Sequence, residues 1–253
     1  MKKDNTKVLI IVAHPDDAEI SMGMRIYDYV QSGCEVFVHS LSMGGKKDNS
    51  QKLKNIRVKE TQEASKILGI HSYTFSDFPD TYFEENRGKI RSEIEKLVAK
   101  IQPDIVYTHY PEDLHIDHEI TSKEVLIGAR SVPSLFYFRS PYSRNLIPKI
   151  FFFGDEKLMD KKIESLKCFE SQKLLDEQLL KTFSSVIYFE YVHPNAIIDF
   201  KLSHGMSISD SLYAEAFTAE REFLLPFGSK KLSGFIKSAH SLKEKIRFLA
   251  KRI

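Results

Sequence analysis

Short apolar runs alternate with helix-length segments along the first half of the chain. Val8–Ala13 is a continuous, largely β-branched run, which is typical of a strand covered on both faces of a parallel sheet. The stretch after it begins with Pro15, reaches about Ser32 and stops at Gly33, so a helix is predicted there. The same pattern predicts strands over residues 34–41, 71–75 and 104–108, and helices over residues 53–68, 88–101 and 117–129.

This alternation predicts an α/β fold with a Rossmann-like, mostly parallel sheet flanked by helices. Beyond Arg130 the pattern is less regular. Short aromatic strands are expected within residues 134–145 and 147–153, a helix over residues 157–173 and a further strand over residues 185–191. Since no linker rich in Gly, Pro or Ser occurs, we expect a single domain over residues 1–253, with a Rossmann-like core (1–130) and a C-terminal elaboration (131–253).

Apolar residues near the C-terminus recur at alternating spacings of three and four, which predicts a terminal amphipathic helix with Lys and Arg on its other faces. We expect this helix to pack on its own domain. A dimer contact is the alternative, and binding to a membrane surface is a third interpretation. The apolar seam consists of Leu232, Phe235, Ala239, Leu242, Ile246, Leu249 and Ile253.

Two polar clusters follow predicted strands, "VAHPDDAEI" at residues 12–20 and "HYPEDLHIDHE" at residues 109–119. A helix start explains part of the first cluster, because Pro15 fits the first helical position and acidic residues suit the positive end of the helix dipole. It does not explain His14, nor a second His/Asp group at another strand end. In parallel sheets ligands bind beyond the carboxyl ends of the strands, so the paired clusters favour a metal site.

The spacing of the polar residues indicates which of them could be ligands. His14 and Asp17 are three residues apart, so at a helical entry both side chains can converge on one point. A histidine from the second cluster would complete a site of two histidines and one aspartate, which suits zinc or ferrous iron. Water bound to such a metal has a pKa near about 7, and Asp16 can take its proton.

"AHPDDAE" together with the downstream "HIDH" resembles the LmbE/PIG-L family of metal-dependent de-N-acetylases, which remove acetyl groups from N-acetylglucosamine-type sugars. Weaker matches extend the resemblance over most of the chain: "RVKETQEASKILGI", "FPDTYF", "KIESLKCFESQ" and "YAEAFTAER". The resemblance implies a zinc ion, or Fe2+ in vivo, held by His14, Asp17 and His118. It implies that metal-bound water attacks the amide carbonyl of an N-acetylated amino sugar or sugar conjugate.

The resemblance also implies roles for the remaining polar residues of the two clusters. Asp16 is the general base, and His115 stabilises the oxyanion and assists the leaving group, oriented by Asp117. A charged imidazole beside developing negative charge is a common device for amide hydrolysis. Arg57 and Asp80 match family positions near the sugar, although a surface ion pair and a turn explain them equally well.

Two segments of this chain depart from the family pattern, and one histidine is not part of that pattern. Phe169 stands where family members often have His, and "HGMSISDSL" replaces an Arg-Gly before "YAEAF". Both changes concern substrate preference. His109 is interpreted as a loop histidine, with a residue that supports the metal ligands as the alternative.

The composition indicates which partners and which cellular location to expect. The chain is 42% hydrophobic and 28% charged with a formal net charge of +2, so a nucleic-acid partner is not expected. The run Val8–Ala13 is too short for a signal-peptide core, and two cysteines make no disulfide framework. We therefore expect a cytoplasmic enzyme with a small amino-sugar substrate and no stable membrane anchor, whose homo-oligomeric state is open.

Two other function classes remain open. A non-haem Fe(II) oxygenase uses the same set of two histidines and one carboxylate. A non-catalytic sugar-binding relative could retain the fold. A nucleotide-binding module is disfavoured, because the first strand-to-helix turn has no Gly-x-Gly-x-x-Gly sequence and its two acids would repel phosphate.

Overall fold

Seven strands form one mixed sheet in the computed structural model, which describes residues 5–44, 50–172, 176–189 and 191–221. The strands are β1 (Lys7–Val12), β2 (Glu35–Ser40), β3 (Ser72–Phe75), β4 (Ile105–His109), β5 (Ser134–Phe138), β6 (Ile150–Gly154) and β7 (Tyr213–Arg221). Their order in the sheet is β3-β2-β1-β4-β5-β7-β6. The first five are parallel, whereas β7 runs antiparallel to both β5 and β6. The predicted Rossmann-like, mostly parallel α/β fold is confirmed.

The helices of the described residues connect these strands and cover the sheet. Ser50 caps the second helix by accepting a hydrogen bond from the backbone of Leu53 at 3.3 Å, and Gly69 ends it in the left-handed conformation. No helix in the described part of the chain is both long and apolar enough to cross a membrane. The helices are α1 (Asp17–Gln31), α2 (Gln51–Leu68), α3 (Phe83–Ile101), α4 (Ile116–Gly128), α5 (Glu156–Leu166), α6 (Glu177–Phe189) and α7 (Pro194–Ser203).

Strand β1 is buried on both faces of the sheet. Val8 and Ile10 pack in one apolar cluster with residues of α1 and α5, whereas Leu9 and Ile11 pack in a second cluster with residues of α3 and α4. Alternate side chains of a strand point to opposite faces, so a strand with helices on both sides must be apolar throughout. This is why the run Val8–Ala13 was recognisable in the sequence.

The chain changes direction across the sheet between β1 and β4. From β1 it proceeds to β2 and β3 on one side, and it then returns to place β4 and β5 on the other side. The loops that leave β1 and β4 therefore diverge and open a crevice at their carboxyl ends. Both polar clusters of the sequence begin at this crevice.

Several boundaries differ from the sequence prediction. The segment predicted as a strand over residues 185–191 belongs mostly to α6, because a short apolar run does not distinguish a strand from a buried helix face. Helix α3 starts at Phe83 rather than Gly88, and α1 starts at Asp17 rather than Pro15. Strand β7 and helix α7 were not predicted. The predicted terminal helix and its apolar seam lie outside the described residues.

A buried ion pair joins the C-terminal elaboration to α1. Helix α1 is interrupted at Met22, which has non-helical backbone angles. The carboxylate of Glu215 on β7 accepts hydrogen bonds from the backbone N–H groups of Met24 (3.0 Å) and Arg25 (2.9 Å), and from Lys162 Nζ at 2.8 Å. A Cβ atom on Gly23 would lie 2.9 Å from Lys162 Cγ, so the lysine stem requires glycine there. Glu215 thus acts as a cap supplied from a distant strand.

Glu215→Ala is expected to lower the free energy of unfolding by about 3–5 kcal/mol, because it leaves the buried Lys162 ammonium and two N–H groups without their partner. Urea unfolding followed by circular dichroism measures this loss. The double variant Glu215→Gln with Lys162→Met, which removes both charges, is expected to recover part of it. A loss below about 1 kcal/mol in Glu215→Ala would contradict the capping role.

Candidate active site

The turn after β1 places two aspartates differently. Asp16 precedes α1 in the left-handed conformation (φ 93°), and its side chain makes no capping hydrogen bond. Asp17 Oδ2 instead accepts from the backbone N–H of His14 at 2.8 Å. Since neither carboxylate caps the helix in the usual way, a helix start does not explain this pair of acids.

The segment after β4 supplies the histidines of the site. His109 is the last residue of β4 and is fully buried, so the interpretation as a loop histidine was wrong. His115 is the N-cap of α4, and its Nδ1 accepts from the backbone N–H of Asp117 at 3.3 Å. His118 lies one turn later, with its ring stacked between those of His109 and His115 at centroid distances of 3.9 and 4.6 Å.

The three predicted ligands lie together in the crevice. His118 Nε2 is 3.3 Å from Asp17 Oδ1, and His14 Nδ1 is 3.5 Å from Asp17 Oδ2. Polar side chains of the crevice form three overlapping sets. Within each set the potential metal-ligand atoms lie within 4.8 Å of one another. These sets are His14 with His115 and His118, Asp17 with His109 and His118, and His14 with Asp80 and Asp117.

Buried negative charge dominates the electrostatics of this crevice. Asp17, Asp113 and Asp117 are each less than a tenth exposed. Burial alone would lower the pKa of His118, but the charge of Asp17 and the neighbouring Asp113 carboxylate raise it to about 9. Burial likewise disfavours the charged form of His14, yet its contacts with Asp117, Asp17 and Asp80 raise its pKa well above the usual range. The carboxylates therefore favour a positive charge here, as a metal ion would provide.

The carboxylate of Asp117 has a different partner from the one predicted. Asp117 Oδ2 lies 3.2 Å from His14 Nε2 and accepts from the backbone N–H of Thr81 at 2.6 Å. Only its backbone N–H contacts His115. Because His115 Nδ1 accepts that bond, a neutral His115 ring carries its proton on Nε2. Burial, together with the neighbouring His14 and His118, lowers the pKa of His115.

Arg57 and Asp80 both lie close to the polar residues of the crevice. Asp80 Oδ1 lies 3.3 Å from His14 Nε2, so it contacts a predicted metal ligand. Burial lowers the pKa of the Arg57 guanidinium, while the nearby charges of Asp16, Glu60 and Asp80 act in the opposite direction. Burial raises the pKa of Asp16 well above its usual range, and the adjacent Asp17 charge adds to this.

Sequence reasoning did not single out Asp113, which contacts a predicted ligand, and it left His109 between a loop histidine and a residue that supports the ligands. Asp113 Oδ1 lies 3.3 Å from His118 Nδ1, and Asp113 Oδ2 accepts from Ser140 Oγ at 2.5 Å. His109 Nε2 accepts from the backbone N–H of Ala13 at 3.0 Å and lies 3.3 Å from Asp17 Oδ2. Burial lowers the pKa of His109 to about 4, which keeps the ring neutral. The signal available for Asp113 was its own place in the second polar cluster, as an acidic residue two positions before His115.

Residues 9–127, which include both strand ends and most of the polar residues described above, match the family model PIG-L, described as GlcNAc-PI de-N-acetylase. These residues carry a domain that resembles the PIG-L family. Its resemblance to that family, inferred from "AHPDDAE" and "HIDH", is confirmed.

Relatives of this chain include named deacetylases. It is 28% identical over 187 residues to a probable N-acetyl-alpha-D-glucosaminyl L-malate deacetylase 2 of Bacillus anthracis, a match covering 67% of this chain and 83% of the relative. It is 33% identical over 123 residues to the diacetylchitobiose deacetylase of Thermococcus kodakarensis, covering 46% of each chain.

Solved structures share the fold. The N,N'-diacetylchitobiose deacetylase of Pyrococcus horikoshii matches with a TM-score of 0.62 and 23% identity, covering 89% of this chain and 88% of that one. The 4-carboxy-2-hydroxymuconate hydratase of Pseudomonas putida matches with a TM-score of 0.67 and 17% identity, covering 88% of this chain and 100% of that one. Because the fold is shared with a hydratase, the side chains of the site must carry the functional argument.

Removal of any one predicted ligand is expected to abolish tight metal binding, because a three-ligand site reduced to two ligands no longer holds the ion. The variants are His14→Ala, Asp17→Ala and His118→Ala, and the measurement is metal content by mass spectrometry after desalting. His71→Ala, at an exposed histidine before β3, is the matched control and should keep its metal. Full metal content in all three ligand variants would remove these residues from the site.

Asp113→Asn is expected to weaken metal affinity by about 10–100-fold while the protein stays folded, because a carboxylate behind a ligating histidine fixes its tautomer and orientation. Competition with a chromophoric chelator measures the affinity. Glu112→Gln removes a neighbouring carboxylate that accepts from Asn145 instead, and it should have no effect. Equal affinities in the two variants would show that Asp113 does not support His118.

Proposed function

We propose that the chain is a zinc-dependent hydrolase that removes the N-acetyl group from an N-acetylated amino sugar or sugar conjugate. The observation that carries this proposal is the buried group of imidazoles and carboxylates in the crevice between β1 and β4, beside an aspartate that caps no helix. The match to the PIG-L family model and the similarity to named deacetylases support the same reaction class.

His14, Asp17 and His118 would hold the metal, and their donor atoms suit zinc, with Fe2+ as the alternative. These residues fit a metal ion because the carboxylate of Asp17 is buried and its partners are two imidazoles and a backbone N–H group. A bound divalent ion supplies two things in such a site, a lowered pKa for water and polarisation of the amide carbonyl. Asp113 contacts the imidazole of His118, and Asp117 contacts that of His14, so these carboxylates would keep the two histidines in place.

Asp16 is the residue we assign to proton transfer. Its carboxylate is 8% exposed and adjoins Asp17, and it is not engaged in capping α1. In the reaction, the oxygen of water bonds to the amide carbonyl carbon, and Asp16 accepts the proton that the water loses. The C–N bond then breaks, acetate leaves, and the proton passes to the amine of the sugar.

His115 is placed to assist the charged stages of the reaction. Its Nδ1 is occupied by the backbone N–H of Asp117, which leaves Nε2–H as the donor for the oxyanion. Asp117 acts on His14 rather than on His115, so we assign it to positioning of the metal ligand. Arg57 and Asp80 line the same crevice and are proposed to contact the sugar.

Two other chemistries must be separated from deacetylation by experiment. The donor set of two histidines and one carboxylate also suits Fe(II), as in an oxygenase, and the fold is shared with a hydratase. Incubation of metal-loaded protein with a panel of N-acetylated sugars, followed by mass spectrometry, tests the proposal. Equimolar amine and acetate formed without oxygen are expected, whereas oxygen-dependent turnover or an unchanged amide would overturn it.

Asp16→Asn is expected to reduce turnover by about 100- to 10,000-fold with little change in substrate affinity, which is the usual effect of removing a general base. The amide is nearly isosteric and the ligands are unaltered, so metal content and melting temperature should stay at the level of the unmodified protein. Acetate release, metal content and melting temperature are measured on the same preparation.

Asp77→Asn is the matched control, since Asp77 is an exposed aspartate paired with Lys54, and its turnover should be unchanged. His115→Ala should retain metal and lose activity mainly in kcat, as expected for a group that acts in the transition state. If Asp16→Asn kept its metal and turned over normally, Asp16 would have no part in the mechanism.

A further inference from the structure

The turn that carries Asp16 has a strained backbone. Asp16 has a φ of 93°, in the left-handed region that residues other than glycine rarely occupy. Such a conformation costs free energy and persists only where surrounding contacts hold it. The side chain makes no capping hydrogen bond, so the backbone of the turn sets the direction of the carboxylate. The position of the proposed base therefore depends on the contacts that fix this backbone.

One of these contacts comes from a distant part of the chain. Gln172 Nε2 donates to the backbone carbonyl of Pro15 at 3.3 Å, across 157 positions of sequence. That carbonyl belongs to the peptide group between Pro15 and Asp16. On the other side of Asp16 the chain is fixed in α1, where the carbonyl of Asp16 accepts from the backbone N–H of Ile20 at 2.9 Å. A change of Asp16 to negative φ would therefore rotate the peptide group and move its carbonyl away from Gln172.

Gln172 is itself held through a buried carboxylate. It ends a short 3-10 turn (Glu170–Gln172) that follows α5. Ser171 in this turn donates to both oxygens of Glu60 on α2, from its backbone N–H at 2.8 Å and from its hydroxyl at 2.6 Å. Glu60 is 8% exposed, and Phe169, just before the turn, is fully buried. Because its neighbours are fixed in this way, the Gln172 amide is preorganised for the contact with the Pro15 carbonyl.

Helix α2 also acts on the Asp16 carboxylate directly. Burial raises the pKa of Asp16, and the charge of Arg57, one turn before Glu60 on this helix, acts against that rise. A Cβ atom on Gly44 would lie 2.9 Å from Arg57 Nη1, so the segment after β2 packs against the guanidinium. Helix α2 therefore constrains Asp16 in two ways, by charge at its carboxylate and by contact at its backbone through the 3-10 turn.

We infer that Gln172 is a positioning residue for Asp16: it holds the peptide group between Pro15 and Asp16, and thereby the direction of the Asp16 carboxylate. This inference rests on the proposed function, in which Asp16 accepts the proton that water loses, and it adds the residue that orients this base. Loss of the Gln172 amide should let the turn leave its strained conformation. Metal binding should change less, because His14 and Asp17 are joined by their own hydrogen bond of 2.8 Å.

Gln172→Met tests the inference, because it replaces the amide by an apolar side chain of similar length. We expect kcat for acetate release from N-acetylglucosamine to fall about 10- to 100-fold, with KM changed less than about twofold, since a misplaced base slows the chemical step without weakening substrate binding. Metal content should be retained. Gln51→Met is the matched control, at an exposed glutamine whose amide donates to Asn55, and its kcat should be unchanged.

A double-mutant cycle shows whether Gln172 acts through Asp16. In the Asp16→Asn background, Gln172→Met should lower kcat by less than about a further twofold, because the base that it positions is already absent. Equal losses in the two backgrounds would overturn the inference, and so would an unchanged kcat in the single variant Gln172→Met.

Amide hydrogen exchange of the protein as isolated, without substrate, gives a readout that does not depend on activity. Peptides covering residues 13–20 should exchange faster in Gln172→Met than in Gln51→Met, because the turn has lost a contact. Unchanged exchange would overturn the inference even in an active deacetylase. Faster exchange throughout the protein, with a lower melting temperature, would indicate a general structural role and also overturn it. No acetate from the unmodified protein would overturn the proposed function, and exchange alone would then decide whether Gln172 positions Asp16.

Discussion

Carboxylates buried at the carboxyl ends of β1 and β4 are the constraint on which the site depends. Asp17, Asp113 and Asp117 are removed from water, and their partners are imidazoles, hydroxyls and backbone N–H groups. Burial of so much negative charge is unfavourable unless positive charge is nearby. A divalent metal ion would satisfy this requirement, and the same ion would supply the chemistry of the proposed hydrolysis. Stability of the site and its proposed chemistry therefore have one physical origin.

The packing of the sheet fixes the backbone segments that carry these charges. Strand β1 is covered on both faces by apolar clusters, so the backbone that leads into the crevice is rigid. Strands β1 and β4 are neighbours in the sheet, and the connections that follow them leave in opposite directions. The space between these connections is open to a ligand. Two of the proposed ligands also contact a further carboxylate: Asp113 contacts His118, and Asp117 contacts His14.

The C-terminal elaboration completes the core instead of forming a separate layer. Glu215 on β7 and Lys162 on α5 secure α1 where its helix is interrupted, and α1 carries Asp17 at its first position. Gln172 also donates from a nearby turn to the carbonyl of Pro15 at 3.3 Å. These contacts come from segments far from the two polar clusters, "KIESLKCFESQ" and "YAEAFTAER", and they hold the helix that begins at the site.

The sequence by itself determined the alternating strands and helices of the first half and the two polar clusters, since both depend on local periodicity and on which residues follow a buried strand. It also led to the family through "AHPDDAE" and "HIDH". Only the tertiary structure decided which atoms meet: Asp117 contacts His14, and Asp113 supports His118. It likewise decided that residues 185–189 are helical. The contact of Asp117 with His14 joins residues 103 apart in the chain, and the pairing of β1 with β4 that creates it is not encoded in any local pattern.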